Sequence, residues 1–221
     1  MPPLIYRKGL DLKHEVAAEL DATYHSPLVD SLKASDYCYR AGRLTIHLAR
    51  EFGFCYGVDR AVDYAYQTRT RFPERRVFLT GEIIHNPHVN EKLRALGVEF
   101  LSDDPTLTDR LGPDDVVILP AFGVTVADLV RLDALGCTLV DTTCGSVLNV
   151  WKRVEVYAKD GFTALIHGKY YHEETRATAS QVEKYPGGTY LVVRDMAQAE
   201  DVMAYLAGTF AGGREAFLTK Y

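Results

Sequence analysis

The chain has 221 residues, of which 47% are hydrophobic and 25% are charged, so it can fold around an apolar core and is neither disordered nor collagen-like. Its 25 Lys and Arg against 30 Asp and Glu give a formal net charge of -5, which excludes a broad basic surface for a nucleic-acid backbone. No apolar run approaches the roughly 18 residues that a membrane helix needs, and Met1-Pro2-Pro3-Leu4 does not open a signal peptide. We therefore expect a soluble, cytoplasmic protein with no nucleic-acid or membrane partner.

Residues 1–43 are rich in Tyr, Asp and Lys and show no helical or strand period. They end at Ala41-Gly42, and a glycine after an irregular stretch is typical of a boundary. We predict that residues 1–43 form an N-terminal arm that lies outside the sheets of the remaining chain.

From residue 44 onward, short β-branched segments alternate with helical patterns, which is typical of parallel α/β units. Apolar residues recur at helical spacing from Val58 to Ala65 and from Val147 to Tyr157. The predicted strands are residues 44–48, 76–80, 115–119, 137–140, 163–166 and 189–193. The predicted fold class is α/β, with a first parallel-sheet module at residues 44–140 and a second, related module at residues 141–221.

The last part of the chain departs from this alternation. Gly208 and Gly212-Gly213 interrupt the helical pattern, and residues 215–219 then resume an apolar, extended pattern. A strand at that position, without a helix after it, predicts that further structure is missing or is supplied by another chain.

The four cysteines contain no C-x-x-C spacing, which argues against a zinc finger or a thioredoxin-like site. Cys55 (in GFCYG) and Cys144 (in TTCGS) each follow a predicted strand and precede a predicted helix, where backbone N–H groups favour the metal-binding thiolate. Each could instead be a structural thiol. The shared setting nevertheless indicates two equivalent ligands of one metal centre, whereas Cys38 and Cys137 lack it.

Two histidine segments follow predicted strands. His85 stands in GEIIHNP, where a helix start could hold an anion beside it. His172 stands in HGKYYHEET with Lys169, and Glu173 or Glu174 could move a proton. The alternatives are a helix cap for His85 and a solvated, charged loop for the second segment.

Taken together, GFCYGVDRA, GEIIHNPHV, PAFGV, VDTTCGSV, VWKRVE and IHGKYYHEETRATAS resemble the 4-hydroxy-3-methylbut-2-enyl diphosphate reductases, in the branch found in plants and cyanobacteria. These iron–sulfur oxidoreductases belong to the non-mevalonate pathway of isoprenoid biosynthesis. The resemblance implies three α/β modules in a trefoil around a [4Fe–4S] cluster, with one cysteine from each module. The first two modules match this chain, and the third is absent.

The resemblance also implies roles for single residues. Cys55 and Cys144 match two cluster ligands, His85 and His172 match histidines that bind the diphosphate, and Glu174 matches the carboxylate that relays a proton to the leaving hydroxyl. Phe122 stands where much of the family has another diphosphate-binding histidine. The implied reaction is reductive dehydroxylation of the substrate to isopentenyl and dimethylallyl diphosphates.

The implied electron donor is a ferredoxin or flavodoxin, because the chain has no G-x-G-x-x-G nucleotide fingerprint. No cysteine follows Cys144, and neither Cys38 nor Cys137 matches the third ligand of the family. Two alternatives therefore stay open. One is a non-catalytic interaction module that needs a partner chain carrying the third cysteine; the other is a zinc-binding protein that uses Cys55, Cys144 and nearby histidines.

Overall fold

The computed structural model describes residues 5–221, and its centre is a parallel sheet of five strands in the order β1-β7-β6-β4-β5. The strands of this sheet are β1 (Ile5–Tyr6), β4 (Val77–Leu79), β5 (Val98–Phe100), β6 (Val116–Leu119) and β7 (Thr138–Asp141). The associated helices are α1 (Lys13–Tyr24), α2 (Pro27–Ala34), α3 (Tyr56–Arg71), α4 (Pro87–Ala95) and α5 (Val126–Ala134), and a 3-10 helix spans Pro105–Arg110.

The central strands are apolar on both faces because each face is covered. Alternate residues of β4 and β6 point to opposite sides: Leu79 and Ile118 pack with α3 and α4, whereas Phe78 and Val117 pack with Leu132 of α5. All of these side chains are almost completely buried. Burial on both faces is typical of parallel sheets and explains the near-continuous apolar strands of the sequence.

A second α/β unit follows β7. It contains α6 (Gly145–Lys159), β8 (Thr163–His167), α7 (Glu173–Val182), β9 (Thr189–Val193), α8 (Met196–Leu206) and α9 (Gly213–Lys220). Strands β8 and β9 form a parallel pair, and a small core of Val193, Val202 and Phe217 lies beside them. The predicted α/β class with parallel sheets is confirmed. The division into modules at residues 44–140 and 141–221 stays a prediction.

Five of the predicted strands are present within about a residue of their expected positions, as β4, β6, β7, β8 and β9. Strand β5 has three residues and was too short for a periodic signal. Among residues 5–221, no helix combines the length and the apolarity that crossing a membrane requires.

The expectation that residues 1–43 lie outside the sheets is wrong for their first half. Ile5 and Tyr6 pair in parallel with Leu139 and Val140 of β7, and Val16 of α1 is buried. The Gln67 side chain of α3 also accepts hydrogen bonds from the backbone N–H groups of Leu10 and Leu12. Two residues of strand and one side-chain amide leave no pattern in the sequence, so this docking could not be predicted.

The predicted parallel strand at residues 44–48 is also wrong. Strand β3 (Leu44–His47) instead pairs antiparallel with β2 (Cys38–Ala41) in a separate hairpin, and its four residues are exposed. Gly42 adopts a positive φ of 59° in the turn. Ala41 therefore ends β2, and Gly42-Arg43 form the turn of a hairpin, not a boundary between an arm and a module.

The extended segment predicted at residues 215–219 is helical. It belongs to α9, in which Phe217 is buried and Tyr221 follows it by four residues, with ring centroids 5.0 Å apart. Side chains four residues apart lie on one face of a helix. The spacing of these two aromatic residues therefore fits a helix and not the predicted extended segment.

The two units meet where Gly123, in the loop after β6, packs against Trp151 of α6. A Cβ atom on Gly123 would stand 2.3 Å and 2.5 Å from two carbons of the Trp151 ring. The indole N–H of Trp151 donates to the Thr178 hydroxyl of α7 at 3.2 Å. The absent side chain of Gly123 thus lets this loop lie directly on the second unit.

We predict that Gly123→Ala destabilises the chain more than Gly136→Ala. Both glycines have positive φ, 75° and 73°, so each alanine carries a backbone penalty of about 1–2 kcal/mol. A Cβ on Gly136 comes no closer than 3.4 Å to Pro113, whereas one on Gly123 collides with Trp151. The collision should add about 1–3 kcal/mol in urea denaturation. Equal losses for the two variants would contradict this role of Gly123.

Candidate functional site

The candidate site lies where the connections of the five-stranded sheet reverse direction. The helix after β4 leads to β5 on one side of the sheet, whereas the helix after β6 leads to β7 on the other side. In open parallel sheets, ligands bind in the crevice that this reversal leaves at the carboxyl ends of the strands. The crevice is bordered here by residues 80–86 and residues 120–125.

Cys55 and Cys144 each occupy the residue that precedes the first turn of a helix. Cys55 caps α3 and Cys144 caps α6, both with extended backbone conformations, and neither side chain makes a capping hydrogen bond. Both thiols therefore stay available beside a helix N-terminus, which favours an anionic ligand or a thiolate. The predicted strand-to-helix setting is confirmed for Cys144; for Cys55 only the helix follows as predicted, because β3 is not in the parallel sheet.

Gly57 brings the two cysteine segments together. This glycine lies in the first turn of α3, two residues after Cys55, and a Cβ on it would stand 2.3 Å from the Cys144 Sγ. The Arg60 guanidinium, one turn further, donates to the carbonyl oxygen of Thr143 at 3.1 Å. The starts of α3 and α6 are thus in direct contact, with the Cys144 sulfur in the space that a side chain at residue 57 would fill.

The other two cysteines do not share this setting. Cys137 is fully buried in the sheet core, and burial, together with the nearby Asp115 carboxylate, raises the pKa of its thiol. Cys38 lies in the β2–β3 hairpin. The structural role predicted for Cys137 is confirmed.

His85 and His172 lie side by side, although 87 residues separate them. Their Nε2 atoms are 2.9 Å apart. His85 Nδ1 is 2.8 Å from a Glu82 carboxylate oxygen, and His172 Nδ1 accepts the backbone N–H of Glu174 at 3.2 Å. His172 therefore caps α7. A helix cap was the alternative role predicted for His85, but the structure shows this role at His172.

These contacts assign one protonation pattern to the neutral pair. Because His172 Nδ1 accepts, its Nε2 carries the proton and donates to His85 Nε2; the His85 Nδ1–H then donates to Glu82. An anion that enters between the rings would accept the His172 Nε2–H, whereas His85 Nε2 would need a proton of its own to donate to that anion.

Phe122 forms the wall behind both histidines. Its ring stacks on His85 with centroids 4.4 Å apart and an interplanar angle of 23°. It meets His172 edge to face at 5.7 Å. The aromatic ring thus fixes the two imidazoles and offers no hydrogen bond of its own.

Asn90 holds the loop that carries His85, and sequence reasoning missed it. The buried Asn90 side chain accepts from the Ile83 N–H at 3.3 Å and donates to the Ile84 carbonyl at 3.0 Å. Its position on the apolar face of α4, between Val89 and Leu93, was the available signal. An amide at such a position needs polar partners, and a backbone loop can supply them.

Glu174, in the first turn of α7, lines a groove of about 810 Å³ together with His172 and Lys169. The groove is also lined by apolar side chains, including Val154 of α6 and Leu165 of β8. Neither cysteine lines it. The cysteines connect to the histidines through consecutive residues of one loop instead: the Cys144 N–H donates to the Ala121 carbonyl at 2.9 Å, and Phe122 contacts both histidines.

This arrangement defines a parallel α/β protein with a pair of available thiols and a histidine pair at the reversal point of its sheet. The model of one protein family, described as LytB protein, matches residues 46–212. The chain belongs to this family, and the resemblance seen in the sequence motifs is confirmed.

Curated relatives named 4-hydroxy-3-methylbut-2-enyl diphosphate reductase match nearly the whole chain. The protein of Thermosynechococcus vestitus is 47% identical over 218 residues, which cover 98% of this chain and 52% of the relative. The protein of Gloeobacter violaceus is 46% identical over 222 residues, with 98% and 52% covered. The chain therefore spans about half the length of these relatives.

Two solved structures share the fold. One is a structure of (E)-4-hydroxy-3-methyl-but-2-enyl diphosphate reductase, described as the terminal enzyme of the non-mevalonate pathway; it is 29% identical with a TM-score of 0.57 and covers 67% of this chain and 50% of that one. The second, the reductase of Plasmodium falciparum, is 22% identical with a TM-score of 0.58, and covers 68% and 45%. The second likeness shows the fold alone.

We predict that Asn90→Ala destabilises the chain by about 1–3 kcal/mol, because it leaves the buried Ile83 N–H unpaired and removes one of the two hydrogen bonds of the Ile84 carbonyl, which keeps that from the Asn86 N–H. The same change should shift the imidazole NMR signals of His85, since the loop loses its support. The matched control is Glu91→Ala, an exposed neighbour on α4 that should change stability by less than about 0.5 kcal/mol. Unchanged His85 signals in Asn90→Ala would show that the loop is held by other contacts.

Proposed function

We propose that this chain carries two cluster ligands and the diphosphate-binding side chains of a 4-hydroxy-3-methylbut-2-enyl diphosphate reductase. The observation that carries the proposal is the loop that joins the two sites: Ala121 binds the Cys144 backbone while Phe122 stacks on His85. A reductase of this kind needs its redox centre next to the bound diphosphate ester. The names of the relatives support the same activity.

Cys55 and Cys144 suit a [4Fe–4S] cluster in donor type and in placement. Iron–sulfur clusters are held by cysteine thiolates, and both thiols lie at adjoining helix ends without another hydrogen-bonding role. When bound, the cluster would supply electrons and an iron that accepts a ligand. Since Cys137 is buried in the core and Cys38 lies in the hairpin, the proposal requires a further thiolate that this chain does not provide.

His85 and His172 would hold the diphosphate. The His172 Nε2–H can donate to a phosphate oxygen, and His85 Nε2 can do so when its ring carries a proton on both nitrogens. His172 also stands at the N-terminus of α7, where the helix favours an anion. The Lys169 ammonium lines the same groove and adds positive charge. Phe122 would keep both rings aligned by contact in place of a third donor.

Glu174 would supply a proton to the departing oxygen. Replacing the substrate hydroxyl by hydrogen consumes two electrons and two protons and releases water, so the oxygen must be protonated as its bond to carbon breaks. Glu174 lies in the wall of the groove beside His172, within reach of a substrate held there. The electrons would come from a one-electron donor such as ferredoxin or flavodoxin.

We expect that Cys55→Ser and Cys144→Ser each remove most of the iron that the parent chain binds. All proteins are reconstituted anaerobically with iron and sulfide, with dithiothreitol present to supply the missing thiolate, and iron and acid-labile sulfide are then measured. Cys38→Ser is the matched control and should retain the parent content.

Full iron retention in Cys55→Ser or Cys144→Ser would remove that residue from the proposed ligand set. Tight zinc without sulfide in the parent chain would favour the alternative zinc-binding function.

The diphosphate part of the proposal can be tested without iron. Inorganic pyrophosphate should bind to the parent chain in calorimetry, and His85→Ala or His172→Ala should weaken binding by about 10- to 100-fold, the value of one charged hydrogen bond. His14→Ala, an exposed position on α1, is the control. Equal affinity in all four proteins would show that these histidines do not hold the anion.

A further inference from the structure

Three side chains at the histidine pair could bind a metal ion instead of an anion. One donor atom each from His85, His172 and Glu173 lies within 4.8 Å of the other two. Beyond the 2.9 Å between the two Nε2 atoms, His85 Nε2 is 3.8 Å from a Glu173 carboxylate oxygen. Two histidines and one glutamate form a ligand set that zinc uses in catalytic sites with an open position.

Two of the three ligand separations lie near those expected around a single ion. Two ligand atoms about 2.1 Å from a tetrahedral zinc lie about 3.4 Å from each other. The observed 2.9 Å and 3.8 Å differ from this value by about half an ångström in opposite directions. Small side-chain movements would bring both of these pairs to the zinc distance, and the ligand atoms of the third pair, His172 and Glu173, lie within 4.8 Å of each other.

The surroundings of His85 are those of a metal ligand. Metal-bound histidines typically donate their second ring N–H to a carboxylate, which fixes the ring and the tautomer. Glu82 occupies that position on His85 Nδ1 at 2.8 Å. The stacked Phe122 ring further restricts the imidazole, so His85 Nε2 presents its lone pair toward His172 and Glu173.

His172 would have to change tautomer. In the neutral pair its Nε2 carries the proton and its Nδ1 accepts the Glu174 N–H at 3.2 Å. An ion at Nε2 displaces that proton to Nδ1, and the capping hydrogen bond to Glu174 is lost. This capping hydrogen bond is the longest of the three hydrogen bonds at the histidine pair. Its loss would be a specific sign of metal binding.

We propose that His85, His172 and Glu173 form a zinc site that is occupied in place of the diphosphate. The ion would take the Nε2 atoms of both histidines, which could then no longer contact phosphate oxygens. The competition between zinc and diphosphate rests on the proposed function, whereas zinc binding itself does not depend on that function.

Cobalt(II) is the probe, because its visible absorption reports tetrahedral or five-coordinate binding where zinc is silent. The titration uses the Cys55→Ser/Cys144→Ser double variant, so that the thiols cannot provide the ligands. We expect one saturable cobalt per chain, displaced by zinc. His85→Ala or His172→Ala should abolish the signal, and Glu173→Gln should weaken binding at least tenfold.

The matched control is Glu174→Gln, which changes the neighbouring carboxylate in the same helical turn and should leave cobalt affinity unchanged. In the parent background, the backbone amide NMR signal of Glu174 should shift on zinc binding as its hydrogen bond to His172 is lost. Far-UV circular dichroism checks that each variant is folded, and Glu173 is exposed, so its replacement leaves the core intact.

No saturable cobalt binding, or binding that survives Glu173→Gln unchanged, would overturn the proposal. An equal effect of Glu174→Gln would also overturn it, because the ion would then lie elsewhere in the groove. Pyrophosphate calorimetry in metal-free buffer is independent of these outcomes. A chain that binds pyrophosphate but not cobalt therefore retains the proposed function and loses only the zinc site.

Discussion

Four consecutive residues after β6, Pro120 to Gly123, determine how the rest of the site is arranged. The Ala121 N–H donates to Ile83 at 3.2 Å, and its carbonyl accepts from Cys144 at 2.9 Å, so one peptide segment joins the histidine loop to the cysteine loop. Phe122 then contacts both histidines, and Gly123 lies against Trp151 of the second unit. A displacement of this segment would disturb the thiols, the imidazoles and the contact between units together.

The parallel sheet explains why the segment can do this. Its strand order places the reversal point between β4 and β6, so the loops after these two strands border the same crevice. Helices α6 and α7 begin directly beside the crevice, and the residues that cap their N-termini are Cys144 and His172. Backbone N–H groups and donor side chains therefore converge on one region, which suits a bound anion and a thiolate centre.

The sequence predicted the parts of the protein that have a strong local signal. Buried strands such as Val116–Leu119 and long amphipathic helices such as α3 were found, and the motifs around Cys55, Cys144, His85 and His172 identified the candidate site. Contacts between distant segments were not predictable. The sheet position of Ile5 and Tyr6, the support of the His85 loop by Asn90 and the packing of Gly57 on Cys144 all depend on which elements become neighbours after folding.

The central claim is that Cys55 and Cys144 are ligands of one iron centre. The most direct measurement is a crystal structure of the chain after anaerobic reconstitution with iron, sulfide and dithiothreitol, with anomalous scattering recorded at the iron edge. The account predicts iron density bonded to the Sγ atoms of both cysteines, at the adjoining N-termini of α3 and α6. Iron bonded to only one of the two sulfurs, or no iron beside either, would contradict it.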